Sequence, residues 1–172
     1  MNKITPFLWF DTQAEEAMNY YVDTFNGAPY KKQESRIVDI TRYEKGMEAP
    51  GAEKMEGKVI TGIFELAGQR FMALDGGPIF TFTEATSFYI ECEDQKEVAY
   101  FWNKLSAVPE AEQCGWLKDK FGVSWQIIPT VLGELLGDPD PLKSQRVMQA
   151  MLQMKKIDIK ALQEAYEQAP AH

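Results

Sequence analysis

The stretch ITPFLWFDTQAEEAMNYYVDTF, residues 4–25, has the pattern of a strand followed by an amphipathic helix. Its leading apolar run is typical of a strand, and Thr12 with Glu15 matches a helix capping box. The apolar residues that follow recur at helical spacing and would form one buried stripe. They are Ala14, Ala17, Met18, Tyr21, Val22 and Phe25. The stretch therefore predicts a strand-helix unit whose helix ends at Asn26-Gly27.

The same order recurs 80 residues later in SFYIECEDQKEVAYFWNKL, residues 87–105, where Asp94 to Glu97 predict a second helix cap. Shifting the chain by that amount aligns Met18 with Val98, Tyr20 with Tyr100, Tyr21 with Phe101, and Phe25 with Leu105. Strand candidates follow each helix, at 30–43, 57–67 and 70–75, and then at 111–118 and 123–129. A repeat of this kind indicates two similar modules rather than a solenoid. We predict a single α+β domain of two βαβββ modules, 3–80 and 81–129, with a helical extension at 130–170.

Composition excludes several classes of function. The net charge is −8 without a lysine or arginine cluster, which argues against nucleic-acid and anionic-membrane partners. No apolar run approaches the roughly 20 residues that span a bilayer, and the N-terminus lacks a signal-peptide pattern. Cys92 and Cys114 lack CxxC spacing, so we expect reduced, buried thiols in a cytoplasmic protein. Since His172 is the only histidine, His-based triads and imidazole metal sites are excluded.

Four segments carry a family resemblance. They are ITPFLWF (4–10) with EEAM (15–18), ALDGGP (73–78), CGWLK (114–118) with GVSWQ (122–126), and MQAML (148–152) running to Asp158. Together they resemble the PhnB-like branch of the vicinal oxygen chelate superfamily, the glyoxalase and bleomycin-resistance proteins. Members of this branch often carry a 3-demethylubiquinone-9 3-methyltransferase label. The resemblance implies two half-barrel sheets that enclose a cavity, and homodimers are common in the superfamily.

Period-two alternation selects the side chains that would face this cavity. The groups that share a face are Thr5, Phe7 and Trp9 on the first strand, Phe71, Ala73 and Asp75 on the fourth, Ser87, Tyr89 and Glu91 on the fifth, and Ser124, Gln126 and Ile128 on the last. The predicted ligand-binding residues are Thr5, Phe7, Trp9, Asp75, Ser87, Tyr89, Trp116, Ser124 and Gln126. No catalytic residue is assigned.

At the positions where metal-binding members of the superfamily hold their metal, this chain lacks the usual ligands. By resemblance they fall near Thr5, Ser87, Ala73 or Asp75, and Gln126. Because Thr, Ser and Gln are neutral and weak ligands for divalent transition metals, at most one carboxylate remains. We therefore expect neither a metal nor another cofactor.

Several residues admit a structural and a functional interpretation. Asp75 could accept hydrogen bonds from a ligand or act as a base, or it could bind the backbone of an Asp-Gly-Gly turn. Gln126 and Ser124 could orient a ligand or satisfy each other. The tryptophans Trp9, Trp116 and Trp125 could form an aromatic wall or belong to the core. Lys118 could meet an anionic ligand or simply be exposed.

Two further segments also leave alternatives open. The loop Glu44–Lys58 could be a lid or a mobile hairpin tip. The helical stripe of Met148, Met151 and Met154 could pack on the sheet core or lie at a homodimer interface.

The sequence favours a metal-free module that binds a small, largely apolar or aromatic molecule. The alternative is an enzyme. A metal-dependent isomerase, lyase or dioxygenase would need the missing ligands. A methyltransferase would need a donor site, and no Gly-rich strand-to-helix loop is visible. Metal-free chemistry with Asp75 as a base stays open.

Overall fold

The computed structural model describes residues 2–47 and 55–168. The central part of the predicted loop Glu44–Lys58 and the histidine His172 lie outside the described residues. The chain divides into two compact units, Met1–Phe82 and Thr83–His172. The α+β class predicted from the repeat is confirmed, with a four-stranded and a three-stranded sheet.

The first unit is a four-stranded sheet with one helix. Its elements are β1 (Phe7–Phe10), α1 (Ala14–Asn26), β2 (Arg36–Arg42), β3 (Val59–Leu66) and β4 (Gln69–Asp75). The strand order is β1-β4-β3-β2, with β1 parallel to β4 and the other pairs antiparallel. Helix α1 carries the chain from β1 to β2 at the opposite edge of the sheet, and the antiparallel strands β2, β3 and β4 then lead back, so that β4 lies parallel beside β1.

The second unit repeats this plan and adds three helices. Its elements are β5 (Ser87–Cys92), α2 (Gln95–Leu105), β6 (Trp116–Lys118), β7 (Ser124–Pro129), α3 (Thr130–Leu136), α4 (Pro141–Leu152) and α5 (Ile159–Glu167). The strand order is β5-β7-β6, with β5 parallel to β7. The repeated stripes of α1 and α2 are buried alike. Met18, Val98 and Tyr21 are fully buried, and Phe101 is nearly so.

The second unit has three strands within its described residues, one fewer than the βαβββ plan predicts. A 3-10 turn, Pro109–Ala111, occupies part of the predicted strand 111–118. Cys114 and Gly115 have positive φ angles of 49° and 84°, which interrupt extended backbone. Their N–H groups donate to the carbonyls of Met154 and Lys155. The predicted strand 111–118 is therefore shortened to β6, and the two residues before Trp116 bind the segment that follows α4.

One of the two predicted helix caps is correct. Asp94 accepts a hydrogen bond from the Glu97 N–H at 3.0 Å, as the second cap predicts. The capping box at Thr12 and Glu15 is wrong, because α1 begins at Ala14 after Gln13, which makes no side-chain cap bond. The Ala14 N–H instead donates to a carboxylate far along the chain, described below.

The three C-terminal helices enclose a cluster of apolar side chains. Its buried members are Ile128, Leu132, Val147, Ile157 and Leu162. Met151 and Met154 pack against this cluster, whereas Met148 is 41% exposed. Two of the three methionines of the stripe therefore pack inside the helical extension and not on the main sheet core, and the homodimer stays a prediction. Within residues 2–47 and 55–168, no helix combines the length and apolar character needed to cross a bilayer.

Candidate functional site

The face of the three-stranded sheet on the side away from Trp125 brings five predicted residues together. In register across β6, β7 and β5, Trp116 lies beside Gln126, and Gln126 beside Tyr89. One step along the strands, Lys118 lies beside Ser124, and Ser124 beside Ser87. We call these six residues the sheet face. Because side chains alternate along a strand, the residues between them, such as Trp125, point to the other side.

The row of Trp116, Gln126 and Tyr89 presents two aromatic rings on either side of an amide. The Gln126 Nε2 donates to Ser87 Oγ at 2.9 Å, which fixes the orientation of the amide. Trp116 is half-buried and Tyr89 is 59% exposed. Partial desolvation of its hydroxyl, with the neighbouring Glu91 carboxylate, raises the pKa of Tyr89, so this hydroxyl stays protonated at neutral pH. The row can therefore contact a flat apolar body and still offer hydrogen bonds.

Ser124, at the centre of the second row, is buried without a hydrogen-bond partner. Only 2% of the residue is exposed, and its Oγ has no partner within the described residues. The idea that Ser124 and Gln126 satisfy each other is wrong, because Gln126 donates to Ser87. A buried hydroxyl left unpaired costs about 1–3 kcal/mol. An unsatisfied polar group of this kind requires an explanation, and a missing binding partner is one.

Lys118 supplies the positive charge of the sheet face. Its Nζ pairs with the carboxylate of Glu84, whose side chain is 63% exposed, while that of Lys118 is 24% exposed. The hydrogen bond from Lys118 lowers the pKa of Glu84 below its usual range. Sequence reasoning missed Glu84, because it lies in a loop before β5 with no periodic pattern to indicate its partner.

The residues on the other side of the same sheet are mostly buried and stabilise the fold. Trp125 is buried and donates its indole N–H to Asp119 Oδ2 at 2.9 Å, so the core interpretation applies to this tryptophan. Asp119 Oδ1 also accepts from the N–H groups of Phe121 and Val123 at 2.8 and 3.0 Å. This buried carboxylate therefore holds the turn between β6 and β7, directly beside the sheet face.

The first unit holds the remaining predicted residues. Phe7 and Trp9 lie on the face of β1 away from the buried Leu8 and Phe10, as predicted, and Thr5 is half-buried just before the strand. The Trp9 indole N–H donates to the Gly77 carbonyl at 3.0 Å, which satisfies it locally.

The Trp9 ring lies directly against Gly76. A Cβ added to Gly76 would come within 2.2 Å of Trp9 Cζ2, so this close approach requires glycine. Phe80 contacts the ring edge-on, with centroids 5.0 Å apart. Trp9 is therefore fixed by its own turn as well as by its strand.

Asp75 lies on the opposite side of the first sheet from Phe7 and Trp9. In the parallel pairing it is beside Phe10, on the face that α1 covers. It is 1% exposed, and its oxygens accept from the N–H groups of Ala14 at 2.8 Å and Val59 at 2.9 Å. The expectation that Asp75 shares a ligand-binding face with Trp9 is wrong. The alternative of a carboxylate bound to the backbone describes its contacts.

The residues present do not fit the metal site of the superfamily. Within residues 2–47 and 55–168, no group of three or more His, Cys, Asp or Glu side chains is arranged to hold a metal ion. At the positions matched by resemblance, Thr5, Ser87 and Gln126 offer neutral groups, and Asp75 is engaged by two backbone amides. A divalent transition metal would lack the charged or imidazole ligands that it prefers.

Each unit also has a cleft away from the sheet face. A cleft of about 390 Å³ beside the start of α1 is lined by Glu15, Glu16, Glu56 and Lys58, among others. A cleft of about 400 Å³ lies where α2 and α5 begin, with Asp94 and Asp158 in its lining. Both are rich in carboxylates that cap helices or form ion pairs. The contacts of Glu15, Asp94 and Asp158 assign these three carboxylates structural roles.

The two thiols differ in burial. Cys92 is fully buried, and burial, together with the nearby Glu97 carboxylate, raises the pKa of its thiol far above the usual range. Cys114 is only partly buried, which departs from the expectation of two buried thiols, and both cysteines are free. With iodoacetamide at pH 8, we predict that the folded protein is alkylated at Cys114 and not at Cys92. Peptide mass mapping would measure this, with urea-unfolded protein as the control, and equal labelling of both in the folded state would contradict it.

Comparison with known proteins identifies the family to which the chain belongs. A family model described as 3-demethylubiquinone-9 3-methyltransferase matches residues 2–128. A solved structure described as a putative 3-demethylubiquinone-9 3-methyltransferase, PhnB protein, from Bacillus cereus is 38% identical. The match covers 75% of this chain and 100% of that chain, with a TM-score of 0.59. The chain therefore belongs to the PhnB-like family that carries this methyltransferase description.

A more distant structure shares the fold. Protein PA1353 from Pseudomonas aeruginosa is 18% identical, covering 75% of this chain and 98% of its own, with a TM-score of 0.55. The comparison with curated proteins gave no significant match.

Proposed function

We propose that the chain is a small-molecule-binding protein that holds a planar, largely apolar or aromatic ligand on the sheet face without a metal ion. The observation that carries this proposal is the in-register row of Trp116, Gln126 and Tyr89. Two rings flank an oriented amide, and both rings keep exposed surface. Small-molecule sites characteristically combine aromatic walls with a few fixed polar groups.

The contrast between the two sides of the sheet supports this assignment. Trp125 and Phe88 point to the side of α2, where their rings contact each other with centroids 5.4 Å apart. The Trp125 indole N–H is satisfied by Asp119. The Trp116 indole N–H, by comparison, makes no hydrogen bond within the described residues. A half-buried tryptophan with a free donor is suited to contact a ligand.

Replacing Trp116 with alanine tests the proposal. With 2-naphthamide as a neutral aromatic probe, we expect titration calorimetry to detect binding to the wild-type protein. The Trp116→Ala variant should bind roughly 30-fold more weakly, since a lost aromatic contact is worth about 2 kcal/mol. Tyr100→Ala is the matched control, because Tyr100 is a half-buried aromatic residue of the same unit that lies on α2. Equal weakening in both variants, or no binding by the wild-type protein, would contradict the proposal.

Methyl transfer is the second candidate, because the description of the matching family names that activity. A nucleotide-type donor usually binds at a glycine-rich turn between a strand and a helix. Within residues 2–47 and 55–168, the strand-to-helix turns Asp11–Gln13 and Glu93–Asp94 contain no glycine, and β7 runs directly into α3. A rise in melting temperature on adding S-adenosylmethionine, with methylation of a phenolic probe, would favour this candidate over binding alone.

A further inference from the structure

The row of Lys118, Ser124 and Ser87 forms a line of hydrogen-bond donors at one end of the sheet face. The three residues are in register on neighbouring strands, which places them roughly 4.8 Å apart along the row. Lys118 contributes an ammonium group and Ser124 an unpartnered hydroxyl. Ser87 Oγ accepts from Gln126, so its own proton remains available to donate. A row of donors that includes one cation is suited to an anionic oxygen.

The two ends of the sheet face differ in charge, with Lys118 at one end and Glu91 beyond the other. Glu91 lies on the same face of β5, four residues beyond Ser87, which is roughly 13 Å along the strand. The aromatic row lies between this carboxylate and Lys118. A ligand with one anionic group would therefore place that group at Lys118, because the opposite end of the face repels it.

The carboxylate of Glu84 now pairs with Lys118. Because Glu84 is a mostly exposed loop residue, a carboxylate from a ligand can replace it without breaking packed structure. The ion pair with Glu84 shows that the Lys118 ammonium group is placed to bind a carboxylate.

We propose that the ligand of the sheet face is a small planar aromatic carboxylate, an inference that rests on the proposed function. Its ring would lie on Trp116 and Tyr89, and its carboxylate would accept hydrogen bonds from Lys118 and Ser124. A single lysine in the row suits a singly charged carboxylate better than a phosphate group, which carries more charge.

A matched pair of probes tests the role of charge. We expect titration calorimetry to show that 2-naphthoate binds the wild-type protein at least about tenfold more tightly than 2-naphthamide, which has the same ring. Lys118→Met should abolish this preference by weakening 2-naphthoate binding at least about tenfold. Lys160→Gln is the control, because Lys160 is also ion-paired with a glutamate in the same unit but lies on α5. This control should keep the full preference.

Ser124→Ala provides a second, independent measurement. It should weaken 2-naphthoate binding about tenfold and also raise the melting temperature by roughly 2–6 °C, because it removes an unpaired buried hydroxyl. A serine with a purely structural role would instead lower the melting temperature.

The outcomes separate the two proposals. If both probes bind equally and both lose affinity in Trp116→Ala, the carboxylate class is wrong and the proposed function stands. If Ser124→Ala binds 2-naphthoate as tightly as the wild-type protein does, Ser124 is not a contact of the ligand. If neither probe binds the wild-type protein, both proposals are wrong.

Discussion

Replacement of Asp75 with alanine is expected to lower the free energy of unfolding by about 3–4 kcal/mol. The two oxygens of this buried carboxylate accept hydrogen bonds from the N–H groups of Ala14 and Val59. Alanine would leave both donors buried without a partner, at the start of α1 and at the start of β3. The melting temperature should fall by roughly 10 °C for a chain of this length.

The control for this prediction is Asp39→Ala. Asp39 lies on β2 of the same sheet and is exposed, so its loss should change the stability little. Urea denaturation followed by circular dichroism would measure both variants. An Asp75→Ala protein as stable as the wild type, with weaker binding of 2-naphthamide, would contradict the structural role and return Asp75 to the ligand site.

The repeat predicted the fold class because each helix stripe had to be buried against a sheet. Met18 and Val98 occupy equivalent places in the two stripes, and both are fully buried. The sheet face could also be predicted, because polar and apolar residues alternate along β5 and β7. Around Gln126 the neighbours Trp125 and Ile127 are buried, so the face of each residue follows from the pattern alone.

The face of β4 could not be predicted in the same way. Phe71 and Ala73 lie on one side, and Met72 and Leu74 on the other, so both sides of this strand are apolar. Alternation then shows which residues share a side but not which side faces the helix. The parallel register that places Asp75 beside Phe10 decides this, and such a register depends on contacts distant in sequence.

Contacts between residues distant in sequence also account for the other differences between the predicted and the observed structure. The carboxylate that binds the first N–H of α1 is Asp75, 61 residues beyond Ala14, and no local capping pattern could indicate it. The predicted strand 111–118 is shortened to β6 because the N–H groups of Cys114 and Gly115 donate to carbonyls of Met154 and Lys155. Hydrogen bonds between distant segments outweigh local preferences at both places.

The second unit has its own buried carboxylate, and Asp119→Ala is expected to cost about 3–5 kcal/mol of the free energy of unfolding. Asp119 is 1% exposed and accepts from the Phe121 and Val123 N–H groups and from the Trp125 indole. Its removal would leave three donors without this acceptor and would free the turn between β6 and β7. Urea denaturation would measure the loss, and near-ultraviolet circular dichroism would report the altered packing of Trp125.

The position of Asp119 links this stability to the sheet face. Its chain neighbour Lys118 and the in-register Ser124 lie at the two ends of the turn that it holds. Asp158→Ala is the matched control, because Asp158 accepts one N–H bond at the exposed start of α5, and its loss should cost only about 1 kcal/mol. We expect Asp119→Ala to weaken 2-naphthoate binding under conditions where it remains folded, and Asp158→Ala to leave binding unchanged. A stability loss in Asp119→Ala no larger than that of the control would show that the three hydrogen bonds do not hold the turn.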